Sequence, residues 1–157
     1  MRQGVRVGVD VGKVRIGVAR SDLHGILATP VETVARGSGD IERILAIATE
    51  LDAIELIVGL PLSLAGTATA STDDATSFAG RLASATELPV RLVDERLSTV
   101  SAHAALRASG RSSRTSRPVV DQVAAVIIVQ HALDSERAAG TPPGEIAHPD
   151  EGQHNGR

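Results

Sequence analysis

The stretch VRVGVDVGKVRIGVAR, residues 5–20, decides how this chain reads. Val5, Val7 and Val9 alternate with Arg6, Gly8 and Asp10, the period of two that builds a strand with two distinct faces. Val11-Gly12-Lys13 is turn-like, and Val14 to Arg20 is a second short apolar run, so the spacing predicts a β-hairpin. Asp10 then stands at the carboxyl end of the first strand, on the face of Arg6 and Gly8. Ligands of open α/β sheets gather at such strand ends.

Outward from the hairpin, Ile26 to Val34 is β-branched and predicts a third strand, with Pro30 marking an edge or a bulge. Asp40 reads as the N-cap of a helix over Ile41 to Leu51, where Ile41, Ile44, Leu45 and Ala48 share one face. Ile54 to Gly59 is mostly apolar and reads as a buried strand. After a loop over 60–71, Ser71 or Thr72 caps a helix to about Ala85, and Pro89 precedes a strand at Val90 to Val93. Ser98 or Thr99 caps a further helix that stops near Gly110. The Ser/Arg stretch 111–117 reads as a loop, and Pro118 opens a strongly apolar helix to about Leu133. Residues 138–157 are rich in Pro and Gly and read as a disordered tail, which leaves one domain over 1–137.

Three consecutive strands followed by alternating helices and strands imply an α/β fold. The expectation is a mixed five-stranded sheet, order 3-2-1-4-5, its first three strands antiparallel, with helices on both faces. This is the ribonuclease H-like plan; the actin and sugar-kinase ATPase fold begins in the same way.

Composition narrows the function classes. The 157 residues suit one domain, and 42% hydrophobic with 22% charged residues is ordinary for a globular chain. No stretch approaches the ~18 uninterrupted apolar residues of a membrane span, and the N-terminus has no signal-peptide pattern, which points to the cytoplasm. With no cysteine there is neither a thiol nucleophile nor a thiolate metal site. A net charge of −3 provides no global field for nucleic acid, and Phe78 is the only aromatic on which a base could stack. Locally, however, Arg107, Arg111, Arg114 and Arg117 follow one another with no acid between them, a pattern suited to a phosphate backbone.

Three acids carry the chemistry. Asp10 ends the first strand, Asp94-Glu95 follows the last predicted strand, and Asp121 lies in the first turn of the final helix. Such positions can converge on one crevice, and hard cations such as Mg²⁺ take oxygen ligands while leaving room for a substrate phosphate. Two such ions can activate water on one side and stabilise the leaving oxygen on the other. Taken singly, each acid also has a plain structural role as a turn former, a solvated pair or a helix-terminus charge. Lys13 and Arg15 stand at the hairpin tip, where they could hold phosphate or simply be solvated. The segment from Gly8 to Val14 is one residue short of a P-loop, and neither HExxH nor GxSxG occurs.

Taken together, four motifs resemble the YqgF family, also called the RuvX family. They are GVDVGKVRIGVARSD (8–22), VGLPL (58–62) with Gly66-Thr67, DERLST (94–99) and VDQVAAVII (120–128). The resemblance spans about residues 5–134, in order. It implies a ribonuclease H-like fold in a cytoplasmic bacterial protein, with nuclease activity on structured nucleic acid. The activities it implies are 5′-end maturation of pre-16S ribosomal RNA and, by kinship with the RuvC resolvases, Holliday-junction cleavage. The family's acidic positions fall on Asp10, Glu95 and Asp121, which would be the catalytic residues and the ligands of Mg²⁺ or Mn²⁺, with Asp94 as a further candidate ligand. Lys13, Arg15, Arg96, Arg107, Arg111, Arg114 and Arg117 are the candidate nucleic-acid contacts. RuvC proper carries an acid where this chain has Gly59-Leu60-Pro61, and another where it has Ala124-Ala125.

Cleavage of precursor ribosomal RNA is the leading expectation. The rivals are a Holliday-junction resolvase, for which a two-fold homodimer would suit the paired cuts, and a non-catalytic RNA-binding factor in ribosome assembly. An actin-like ATPase fits poorly, because 157 residues leave no second lobe to clamp a nucleotide.

Overall fold

The computed structural model describes the backbone of residues 1–62, 67–95 and 113–149, and their side chains except those of 113–121. Six strands, β1 (Val5–Val11), β2 (Arg15–Ser21), β3 (Ala28–Ala35), β4 (Ala53–Leu60), β5 (Val90–Asp94) and β6 (Glu145–Ile146), form one sheet in the order β3-β2-β1-β4-β5-β6. β1 pairs antiparallel with β2 and β2 with β3, while β1–β4 and β4–β5 are parallel. Over the first five strands this is the expected order and direction. Pro30 does what its missing N–H requires: β3 is the sheet's edge, and the register shifts where Ala19 faces Pro30.

Helices cover both faces. Alternation sends Val7, Val9, Ile16, Val18, Leu56 and Val58 to one side, where they pack with Ile44 and Ile47 of α1 (Asp40–Glu50) and with Phe78 and Leu82 of α2 (Ala70–Ser84). The other side receives α3 (Ser113–Ala139), whose Ala125, Val129 and Leu133 pack on Ala19 and Ala28. Its Ile128 and Ala132 pack on Ile57 and Val93.

Several expected boundaries move. Asp40 sits one residue inside α1: Gly39 occupies the cap position, and the Asp40 carboxylate accepts from the N–H groups of Gly37 and Ile41. α2 starts before Ser71 because Thr69 and Thr72 form a reciprocal capping box. α3 begins at Ser113, before Pro118, since the Ser/Arg stretch contains no helix breaker.

The larger correction concerns the segment expected to be a disordered tail. Glu145–Ile146 adds a sixth strand antiparallel to β5, and the Ala147 N–H donates to the Val90 carbonyl at 2.7 Å. Ala147 is buried in the core. Gly144 turns the chain into this pairing at φ 76°, with its Cα against the Leu92 carbonyl, where a side chain would collide. The helix expected over 98–110 lies outside the described residues.

Candidate active site

Asp10 and Glu95 meet across β4. In the parallel ladder Val9 faces Val58, Gly59 faces Val93 and Leu60 faces Asp94, so the carboxyl ends of β1 and β5 flank that of β4. The Glu95 N–H continues the ladder by donating to the Leu60 carbonyl at 3.2 Å. Period-two alternation then puts Glu95 on the face of Val93, the α3 side of the sheet, which is also the side of Gly8 and Asp10. Asp94 turns to the opposite face and is exposed, whereas only 6% of Glu95 is accessible.

Two glycines make room for this arrangement. A Cβ on Gly8 would collide with Val129 of α3. A Cβ on Gly59 would stand 2.5 Å from Ile128 Cδ1 and 3.3 Å from the Glu95 carboxyl group. The helix therefore lies close on the sheet, and Glu95 fills the space above Gly59. A side chain at position 59 has no place to go here. The helix positions Ala124 and Ala125 are likewise buried against the sheet.

Burial pushes the Glu95 carboxyl up to about 8, reinforced by the charge of Asp10, a hydrogen bond with Asp10 and the charge of Asp94. At neutral pH Glu95 is thus the protonated member of the pair and donates to the Asp10 carboxylate. When both ionise, two negative charges face each other, the one on Glu95 buried. A divalent cation relieves that repulsion, and an all-oxygen, carboxylate-rich donor set suits Mg²⁺ or Mn²⁺. Among the described residues Asp10 and Glu95 are a pair, with no third metal-binding side chain converging on them. Asp121 stands on the α3 backbone about two turns before Ile128, on the same helical stripe; its side chain is outside the described residues.

The hairpin tip flanks the pair. The Gly12 N–H donates to the Arg15 carbonyl at 2.9 Å, closing the turn that leaves Lys13 exposed and Arg15 half-buried. Pro61, just after β4, is held by the Thr72 hydroxyl, which donates to its carbonyl. Arg96, Arg107 and Arg111 lie outside the described residues; Arg114 and Arg117 are on the backbone of α3, their side chains not described. His24 is exposed and bonded to Gln3, and His131 is exposed, in keeping with their isolation in sequence.

Residues that no motif singled out form an ion cluster at the other end of the sheet. Arg2 makes bidentate contacts to Glu136 at 2.8 and 2.7 Å and to Glu55 at 3.1 and 3.0 Å. Buried Arg6 reaches Glu136 at 3.3 Å, and Arg91 reaches Glu55 at 3.0 Å. Hydrogen bonding to Arg2 holds the Glu136 carboxyl down at about 2. The sequence signal was present: Arg6 and Glu55 are charges in otherwise apolar strands, which demands partners.

The family model described as "RuvX: Holliday junction resolvase" matches residues 4–135. A "Putative pre-16S rRNA nuclease" of Clavibacter michiganensis is 72% identical over 149 residues, covering 93% of this chain and 92% of the relative. One of the same name from Leifsonia xyli is 63% identical, covering 95% and 97%. The solved RuvC structure of Thermus thermophilus superposes with a TM-score of 0.53 at 15% identity, covering 90% of this chain and 99% of that one, a likeness of fold. The chain belongs to the RuvX family, and so to the nucleases built on the ribonuclease H-like fold.

Proposed function

We propose that this chain is a divalent-metal-dependent endonuclease that matures the 5′ end of pre-16S ribosomal RNA, with Asp10, Glu95 and Asp121 as its catalytic acids. The observation that carries the reading is the Asp10–Glu95 pair: two carboxyl groups sharing a hydrogen bond at the carboxyl edge of the sheet, one of them buried and pushed to about 8. An ion pair with arginine would serve stability, as Glu136 does; two acids side by side must instead keep a proton or take up a cation, and such perturbed pairs cluster at functional sites.

A bound Mg²⁺ or Mn²⁺ would neutralise phosphate charge and make water a better nucleophile. Half-buried Asp10 is the residue best placed to hold it, with Glu95 joining once its proton has left and Asp121 supplying the helix-borne acid. Asp94, on the opposite face, acts on the pair through its charge. Lys13 and Arg15 on the hairpin, together with Arg96, Arg107, Arg111, Arg114 and Arg117, hold the nucleic-acid backbone.

The substrate assignment follows the names of the two relatives above. We place the protein in the cytoplasm, where ribosomal RNA is processed; among the described residues no helix is long and apolar enough to cross a membrane. The description of the family model favours a second reading, resolution of four-way DNA junctions by a homodimer. Gly59 and Ala125, lacking the acids that RuvC proper has there, weigh against it. The test is cleavage of 5′-extended pre-16S RNA beside a four-way junction, with Mg²⁺ and with chelator, at known solution mass. Metal-dependent cutting of the RNA supports the reading. Cutting of the junction alone by a dimer replaces it with the second. RNA binding without any cleavage assigns a non-catalytic assembly factor.

A further inference from the structure

We propose that Arg36 is a positioning residue for the reaction: it locks the hairpin tip beside the acid pair onto helices α1 and α2. The inference rests on the hydrolytic reading of the site.

Arg36 is the first residue after β3, and it grips the Gly12–Arg15 turn twice. Its backbone N–H donates to the Val14 carbonyl at 2.9 Å, and its Nη1 donates to the Gly12 carbonyl at 2.7 Å. The same guanidinium makes a bidentate contact with Asp74 of α2 at 2.9 and 3.2 Å, and its Nε lies 3.8 Å from Asp40 of α1. Its carbon stands 5.4 Å from the centroid of the Phe78 ring. One largely buried side chain thus joins the turn to α1 and to α2.

The turn carries the functional groups. Gly12 is two residues beyond Asp10, and Lys13 and Arg15 are the phosphate contacts proposed above. A planar guanidinium can serve a carbonyl and a carboxylate at once in a fixed orientation, which a lysine ammonium cannot. Misplacing a reacting group by about 1 Å can cost about 100-fold in rate. By contrast, Arg43 makes a comparable two-pronged contact with Glu32 on the exposed surface, and serves as a control.

The test compares the native chain with Arg36→Ala, Arg36→Lys, Asp74→Asn and Arg43→Ala. One readout is amide exchange at Gly12 and at Val58 in the central strand; the other is cleavage of pre-16S RNA resolved into kcat and KM. In Arg36→Ala, Gly12 protection falls at least about 10-fold while Val58 is held, and kcat falls roughly 10- to 100-fold, with KM rising as the Lys13 and Arg15 contacts loosen. Arg36→Lys recovers only part of this, and Asp74→Asn, which keeps the contact to Gly12, shows the same trend at smaller size. Arg43→Ala matches native. Unchanged Gly12 exchange in Arg36→Ala, or equal loss of protection at Val58, overturns the proposal, as does a loss expressed in KM alone. Should Arg36→Ala fail to fold, Asp74→Asn decides by the same two readouts. A native chain that cleaves nothing refutes the hydrolytic reading, and the exchange data still decide whether Arg36 holds the turn.

Discussion

Replacing Glu95 by Gln should stabilise the metal-free protein, and should do so only as the pH rises. Gln keeps the shape of Glu95 and can donate to Asp10 as the protonated acid does, but it never ionises. In the native chain the Glu95 carboxyl is raised from 4.5 to about 8, so between those values the folded state holds a proton that the unfolded state has released. Stability therefore falls with rising pH across this window: it is full below 4.5 and lost progressively up to about 8. The interval of about 3.5 pH units, at 1.36 kcal/mol each, bounds the loss near 5 kcal/mol. Water penetration and side-chain relaxation at the open edge of the sheet reduce it, to about 2–3 kcal/mol. Glu95→Gln then gains under about 1 kcal/mol at pH 5 and about 2–3 kcal/mol at pH 8.5. For a chain of this size that is roughly 5–10 °C in Tm at the higher pH. Thermal unfolding of both chains in chelator at the two pH values measures it. An equal gain at both pH values, or a loss at pH 8.5, would refute the reasoning, since either means that the Asp10–Glu95 repulsion is not what burial creates there.

Glu136→Gln should lose about 3–5 kcal/mol in urea unfolding at pH 7, because it removes the charge that compensates buried Arg6 and half-buried Arg2. With Glu136 held down at about 2, its contribution is complete above 4.5 and fades as pH falls toward 2; the variant should lack that part of the native acid transition. Gly8→Ala should cost about 1–3 kcal/mol by forcing Val129 and α3 off the sheet, read by chemical denaturation. Gly12→Ala places a Cβ 2.7 Å from the Arg15 carbonyl oxygen and should open the hairpin turn, lowering cleavage more than global stability. Asp10→Asn should abolish metal-dependent cleavage, exceeding the roughly 10- to 100-fold losses typical of residues that merely support a metal ligand.

The fold was legible wherever one strong local rule acted alone. Period-two alternation around Asp10 gave the hairpin and the face on which it sits, and Pro30, read as an edge or a bulge, proves to mark both in β3. The strand-end positions of Asp10 and Glu95 followed from topology, and so did their convergence across β4. What remained hidden depends on long-range partners. β6 is two residues long and exists because the edge of β5 offers hydrogen bonds to a Pro- and Gly-rich segment that no propensity would make a strand. The division of labour between Asp94 and Glu95 came from strand alternation carried one residue beyond β5, an extension the sequence does not mark. Arg36, among sixteen cationic residues, carries no local sign that its neighbours will be Gly12 and Asp74.

The central claim is that Asp10 and Glu95 together hold the cation on which hydrolysis depends, and calorimetric titration of the folded protein with Mn²⁺ at pH 7 addresses it without any substrate. The account predicts saturable binding with release of about one proton per ion, the proton shared by the pair, and binding weakened at least about tenfold in Asp10→Asn and in Glu95→Gln. Native-like Mn²⁺ affinity and proton release in both variants would contradict it.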